Sequence, residues 1–285
     1  MFDLFGNLLA TAVDRPDGTR LALLTADAPR PEGHVLAVHG FTGGKEDFVF
    51  LLPELAAKGW TASAVDLRGV HESTSTGPYD LDTLAADLVA AAHDLGAPVQ
   101  LVAHSFGGLA AQRAVVADPG AFASLTLICS GPAGLMAFPD LVPVTIDRVT
   151  MFARELAGHD LAQAWDAKAA FENVDMHPAM ASFLRERFVV GSHAAARQNT
   201  EDVLHAADVV AAVAATGVPC AVMYGEHDGT WSQVTQNDMA VRLGTVPVAI
   251  PEATHLPMLE NIDATAEALD TFFRRAETLT EAEPR

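Results

Sequence analysis

One stretch, Val99-Gln100-Leu101-Val102-Ala103-His104-Ser105-Phe106-Gly107-Gly108, narrows the folds open to this chain more than any other. An apolar run of strand character bends through a serine into a helix. A bend this sharp forces the serine into a strained backbone conformation, with its hydroxyl clear of the sheet. Side chains two residues before and two after would then meet neighbouring backbone. Ala103 and Gly107 leave that space open, and Gly108 lets the helix lie close to the strand. Small-x-Ser-x-small at a strand-to-helix junction is a nucleophile elbow, although Ala103 stands where its commonest form has glycine. The competing reading is an ordinary turn whose serine caps the helix. Motifs further along the chain decide against it.

The rest of the first half alternates strand and helix signals. Residues 8–14 and 20–26 read as two strands around the turn Pro16-Asp17-Gly18. His34–Val38 is a continuous apolar run, as expected of a strand buried on both faces. A helix is expected over 47–58, a strand over 62–65 and a helix over 81–95, with Asp80 as N-cap and Gly96 as stop. Strand 99–103, helix 106–117 and strand 124–129 follow. This alternation predicts an α/β fold with a mostly parallel, doubly wound sheet. From about 135 to 215 strand patterning stops, and helices are expected at 140–157, 160–172, 178–190 and 193–215. Alternation resumes with a strand at 219–224, a helix at 232–243, a strand at 246–250 and a helix at 264–275. The polar tail from Thr278 is expected to fray. Residues 1–134 and 216–285 are thus expected to form one core, with 135–215 inserted as an all-helical cap.

Composition excludes some partners. Seventeen Lys and Arg face 37 Asp and Glu, a formal charge of −20. Such a surface repels nucleic acid and anionic lipid, so neither is expected as a partner, and the charge says nothing of oligomeric state. Cys129 and Cys220 lie in apolar runs and read as buried thiols rather than a disulfide or metal pair. The start Met1-Phe2-Asp3-Leu4-Phe5 lacks a basic leader, and no apolar run reaches the roughly 20 residues of a membrane span, so a cytoplasmic protein is expected. No Walker-type phosphate loop and no paired metal-ligand spacing is present. Neither a cofactor nor a metal is expected.

Three motifs carry a resemblance: the elbow at Ser105, the turn His39-Gly40-Phe41 after an early strand, and the late pair Gly225-Glu226-His227-Asp228 and Thr254-His255-Leu256-Pro257. Together they resemble the α/β-hydrolase superfamily, in its esterase-like form with a helical cap. The resemblance implies a triad in the order Ser, acid, His, here Ser105, Asp228 and His255. A serine hydroxyl is a weak nucleophile and needs a base. An imidazole, with an unperturbed pKa of about 6.5, suits that task, and a carboxylate must orient it. Glu226 competes locally with Asp228; the family pattern, with the acid three residues past the glycine, favours Asp228. An oxyanion hole is implied at the backbone N–H groups of Phe41 and Phe106. His39 is read as a structural histidine bonding its loop. His71 and Glu72, in the loop after Asp66-Leu67-Arg68-Gly69, are read as solvent-exposed. His104 and Trp231 are expected at the substrate pocket.

The resemblance points to a cofactor-free serine hydrolase acting on a carboxylic ester of a small to medium apolar substrate. C–C bond hydrolases, lactonases, thioesterases and perhydrolases use the same three residue types. A non-catalytic small-molecule binding protein on the hydrolase fold is the alternative of another class. Serine at the elbow argues against haloalkane dehalogenases and epoxide hydrolases, which need aspartate there. Proline iminopeptidases usually carry a glycine-rich loop where this chain has His39-Gly40-Phe41.

Overall fold

The computed structural model describes residues 8–172 and 176–282. Strands β1 (Leu9–Asp14) and β2 (Arg20–Ala26) form the expected antiparallel hairpin, with Leu9 opposite Thr25 and Asp14 opposite Arg20. Then come β3 (Gly33–Val38), α1 (Leu51–Ala57), β4 (Trp60–Val65), α2 (Leu81–Asp94), β5 (Val99–His104), α3 (Phe106–Ala117) and β6 (Phe122–Ile128). Five helices follow: α4 (Pro143–Gly158), α5 (Leu161–Glu172), α6 (Pro178–Val189), α7 (His193–His205) and α8 (Val210–Ala215). The chain closes with β7 (Cys220–Gly225), α9 (Gln233–Arg242), β8 (Val248–Ile250), α10 (Pro257–Glu260) and α11 (Ile262–Ala282).

The strands make one eight-stranded sheet in the order β1-β2-β4-β3-β5-β6-β7-β8. From β4 to β8 every pairing is parallel, and β2 joins β4 antiparallel. This is the α/β-hydrolase fold. Parallel strands covered on both faces are mostly apolar, and β5 is buried at every position, its polar Gln100 and His104 each hydrogen-bonded. Leu101, Val102, Leu125, Leu127 and Val222 lie at its centre, essentially without solvent contact. The order of the sheet brings the C-terminal ends of β5, β6, β7 and β8 side by side. The elbow, the acid loop and the late histidine loop all leave from that edge, where ligands bind in such sheets.

Several boundaries differ from expectation. The helix expected over 47–58 is a 3₁₀ turn, Lys45–Phe48, followed by α1, because Asp47 is drawn into capping Gly44. The stretch 193–215 is two helices rather than one. Asp208 accepts a hydrogen bond from the Val210 N–H at 2.9 Å and restarts the chain as α8. The last helix runs on to Ala282 instead of fraying from Thr278, and residues 283–285 lie outside the described residues, as does the Met1–Phe5 start. Cys129 is fully buried as expected, but Cys220 is only half-buried, at the entrance to β7. Among the described residues no helix is long and apolar enough to cross a membrane.

Helix α7 carries one misfit charge. Burial away from water pushes the Asp202 carboxyl up to about 6, against the Gln198 bond and the charge of Arg113, which favour ionisation. Its Oδ2 has no hydrogen-bond partner among the described residues. At pH 7 the group is ionised in the folded and the unfolded chain, and the folded state bears the cost. On acidification the folded chain takes up this proton near pH 6, before the unfolded chain does near its ordinary 3.8. The penalty therefore fades as pH falls between those values. Asp202→Asn is expected to raise the urea midpoint at pH 7 and to leave it near wild type at pH 4. An equal shift at both pH values would contradict this assignment.

Candidate active site

Ser105 sits between β5 and α3 with φ 49° and ψ −118°, a left-handed conformation that a side chain adopts only under strain. The crowding inferred from the sequence is present. A Cβ at Gly107 would lie 2.5 Å from the His39 carbonyl oxygen, and Ala103 is completely buried. The Ser105 N–H donates to the Ile128 carbonyl at 2.9 Å, and Ser130 Oγ donates to the Ser105 carbonyl at 2.8 Å. The end of β6 and the residues just after it thus pin the bend from both sides.

The late histidine reaches the serine. His255 Nε2 is 3.2 Å from Ser105 Oγ, and His255 Nδ1 is 3.0 Å from Asp228 Oδ1. The Asp228 side chain is wholly buried, whereas the imidazole is about a quarter exposed. Asp228 Oδ1 also accepts the Thr230 N–H at 2.9 Å, and Oδ2 accepts Gln236 Nε2 at 3.0 Å. The carboxylate is therefore held by three donors, with the imidazole as one of them. Glu226, the competing acid, is exposed and bonds the Glu252 N–H instead. Gly225 explains how the two loops come so close: a Cβ there would stand 1.9 Å from the Thr254 carbonyl oxygen. Only glycine lets the His255 loop cross directly over the end of β7.

His104 is buried and ties two of these parts together. Its Nε2–H donates to the His255 carbonyl at 2.8 Å, and the two imidazole centroids are 4.8 Å apart. Burial, and then the neighbouring His255, hold His104 well below the usual histidine range, so it stays neutral. His39 bonds its loop as expected: Nδ1–H donates to the Gly40 carbonyl at 2.8 Å, and Nε2 accepts the Leu67 N–H at 3.1 Å. This arrangement positions Gly40 and Phe41 beside Ser105. Phe106 is the first residue of α3, so its N–H has no acceptor within the helix.

A cavity of about 430 Å³ opens over Ser105 and His255. Gly40, Phe41, His104 and Trp231 line it on the core side, so both expected pocket residues are on its wall. Leu135, Val149, Phe152 and Val203 line it from the helical stretch between β6 and β7. Helical periodicity did not single these out, because it separates buried from exposed faces without saying what lies opposite. The sequence reading also missed Gln236. A fully buried glutamine on the inward face of α9 was the available signal.

The helical stretch is fastened to the core by rings and by charge. Phe41 meets Phe152 edge to face at 5.7 Å, Phe152 lies 5.8 Å from Phe188, and Phe188 lies 5.0 Å from Trp165. Buried Arg187 of α6 bonds Asp47 at 2.8 Å and Glu46 at 3.4 Å. Glu46 also meets Lys45 at 2.9 Å, and Lys45 reaches Asp66 at 2.6 Å and Glu72 at 2.7 Å. The expectation that His71 and Glu72 are solvent-exposed holds for Glu72 and is corrected for His71. His71 Nδ1 is 3.2 Å from Glu46 and its side chain is mostly buried; Glu72 is exposed but directs its carboxylate at the Lys45 ammonium. A buried ammonium needs nearby carboxylates, and it draws the loop inward. Burial opposes the charged forms of Lys45 and Glu46, but their mutual contacts with Asp66 and His71 outweigh it. The Lys45 pKa is raised and the Glu46 pKa lowered.

Comparison with known proteins agrees with the fold. The model of the alpha/beta hydrolase family matches residues 35–268. A pimeloyl-(acyl-carrier protein) methyl ester esterase of Neisseria meningitidis serogroup C is 36% identical over 96 residues, 34% of this chain and 36% of that protein. The match thus spans about a third of the curated relative's length. Among solved structures, a membrane phospholipase A described as a bacterial virulence factor superposes with a TM-score of 0.77 at 20% identity, covering 96% of this chain and 89% of that one. A carboxylesterase of Nitrososphaera gargenis superposes with a TM-score of 0.76 at 16% identity, covering 94% and 99%. At such identities these two speak for the fold. The family match covers most of the chain, and the protein belongs to the alpha/beta hydrolase family.

Proposed function

We propose that this protein is a cofactor-free serine hydrolase that cleaves a carboxylic ester through an acyl-enzyme. The observation that carries the reading is the relay Ser105 Oγ–His255–Asp228, with steps of 3.2 and 3.0 Å beneath an open cavity. Ser105 Oγ attacks the ester carbonyl carbon while His255 Nε2 takes its proton. Asp228 keeps the proton of the ring on Nδ1 and stabilises the imidazolium. The carbonyl oxygen gains negative charge, and the N–H groups of Phe41 and Phe106 serve as its donors. Each such donor contributes about 3–4 kcal/mol to lowering the barrier. Collapse of the intermediate breaks the ester C–O bond, and the departing alcohol takes the proton from His255. Water then attacks the acyl group, giving a proton to His255, and Ser105 recovers it as the acid leaves. The stretch 135–215 acts in this reading as a cap that supplies apolar walls and excludes water.

A fluorophosphonate probe and a panel of p-nitrophenyl esters test this directly. The expected result is an adduct on the peptide carrying Ser105, together with multiple turnovers of at least one ester. Including thioesters, lactones and vinylogous diketones in the panel ranks the bond types. Stoichiometric ligand binding with no product from any of them would replace the hydrolase with a binding protein.

A further inference from the structure

A second cavity, of about 360 Å³, adjoins the one over Ser105. Phe41, Thr42, Asp47, Lys168 and Leu256 belong to the linings of both, so the two compartments adjoin and a molecule bent past these residues reaches both. Phe50, Trp165, Met180, Phe183, Leu184 and Leu259 line the second compartment and not the first. Its charged lining residues are paired among themselves or with a neighbour. Arg187 is bound to Glu46 and Asp47, and Lys168 lies 2.6 Å from Glu172 and over the Trp165 ring at 5.1 Å. Among the described residues no unpaired charge lines the compartment to recognise an ionic group. The wall suits a neutral, flexible hydrocarbon, with Met180 able to adapt to its shape. Phe50 and Met180 are each more than a third exposed, so the compartment is partly open to solvent and apolar at its mouth.

We propose that this compartment binds a long unbranched hydrocarbon arm of the ester that Ser105 attacks. The enzyme accordingly prefers esters with one such arm over those with two short ones. The proposal rests on the ester-hydrolase reading above and specifies its substrate class. A buried methylene improves transition-state binding about three- to fourfold, so four of them give an increase on the order of a hundredfold in kcat/KM.

The experiment measures kcat/KM on two series kept below micelle formation: p-nitrophenyl acetate to decanoate, and methyl to octyl acetate. A rise of about a hundredfold over four carbons in one series supports the proposal, and that series identifies whether the arm is acyl or alcohol. Met180→Trp and Leu184→Trp fill the compartment from α6. Each is expected to lower the long-to-short ratio of kcat/KM at least tenfold; the partly exposed Met180 tolerates the larger ring. Flat profiles in both series, or tryptophan variants that change short and long esters by one common factor, overturn the proposal while leaving the hydrolase intact. No turnover and no fluorophosphonate adduct at Ser105 would overturn both.

Discussion

Ser105→Ala is expected to lower kcat about a millionfold and to abolish fluorophosphonate labelling, with little change in stability. The estimate follows from loss of a nucleophile that acts as a unit with its base, about 8 kcal/mol of barrier. The variant keeps a Cβ at φ 49°, so the strain of the elbow is unchanged and the close approach at Gly107 is undisturbed. Only the Oγ contact with His255 is lost, and the fold does not depend on it. What remains should be the modest catalysis of a bound ester beside oriented N–H donors. In the proposed relay the serine and histidine act together, so Ser105→Ala combined with His255→Ala should be scarcely worse than Ser105→Ala alone. Losses that multiply would show that the two side chains work independently, and the relay would have to be abandoned.

Asp228→Asn should reduce kcat about ten-thousandfold at neutral pH with KM little altered. The asparagine has the same shape: its oxygen in the Oδ2 place keeps the bond from Gln236 Nε2, while its NH₂ in the Oδ1 place gives up the bond from Thr230 N–H and faces the imidazole. An amide NH₂ facing His255 Nδ1 would require that nitrogen to accept. The ring proton then moves to Nε2, the atom that must receive the serine proton, and the base is blocked. Steady-state kinetics beside a thermal melt separate this from misfolding. Glu226→Gln serves as the comparison, since that exposed side chain lies outside the relay and should leave kcat within about twofold of wild type. The opposite pattern, with Glu226→Gln severe and Asp228→Asn mild, would reassign the acid.

The fold was largely legible because its signals are local or periodic. The continuous apolar run at 35–38 and the run at 99–103, interrupted only by Gln100, point to strands covered on both faces, and both lie in the parallel centre of the sheet. Asp80 caps α2 through the Thr83 N–H because the bond spans a single turn. Boundaries failed where a side chain outside the helical pattern intervened, as with Asp47 before α1 and Asp208 before α8.

Alone, the sequence determined the bend at Ser105, the alternation that builds the sheet, and the order in which serine, acid and histidine appear. Each follows from sterics or spacing within a few residues, or from chain order. Tertiary structure decided that Asp228 rather than Glu226 faces the imidazole, and that His71 and Glu72 turn in toward Lys45. It also decided that two cavities adjoin, with Phe41 and Leu256 among the residues lining both. Those outcomes depend on side chains meeting across loops far apart in the chain. A hydrophobic period records that a face is buried and carries no information about the surface it is buried against.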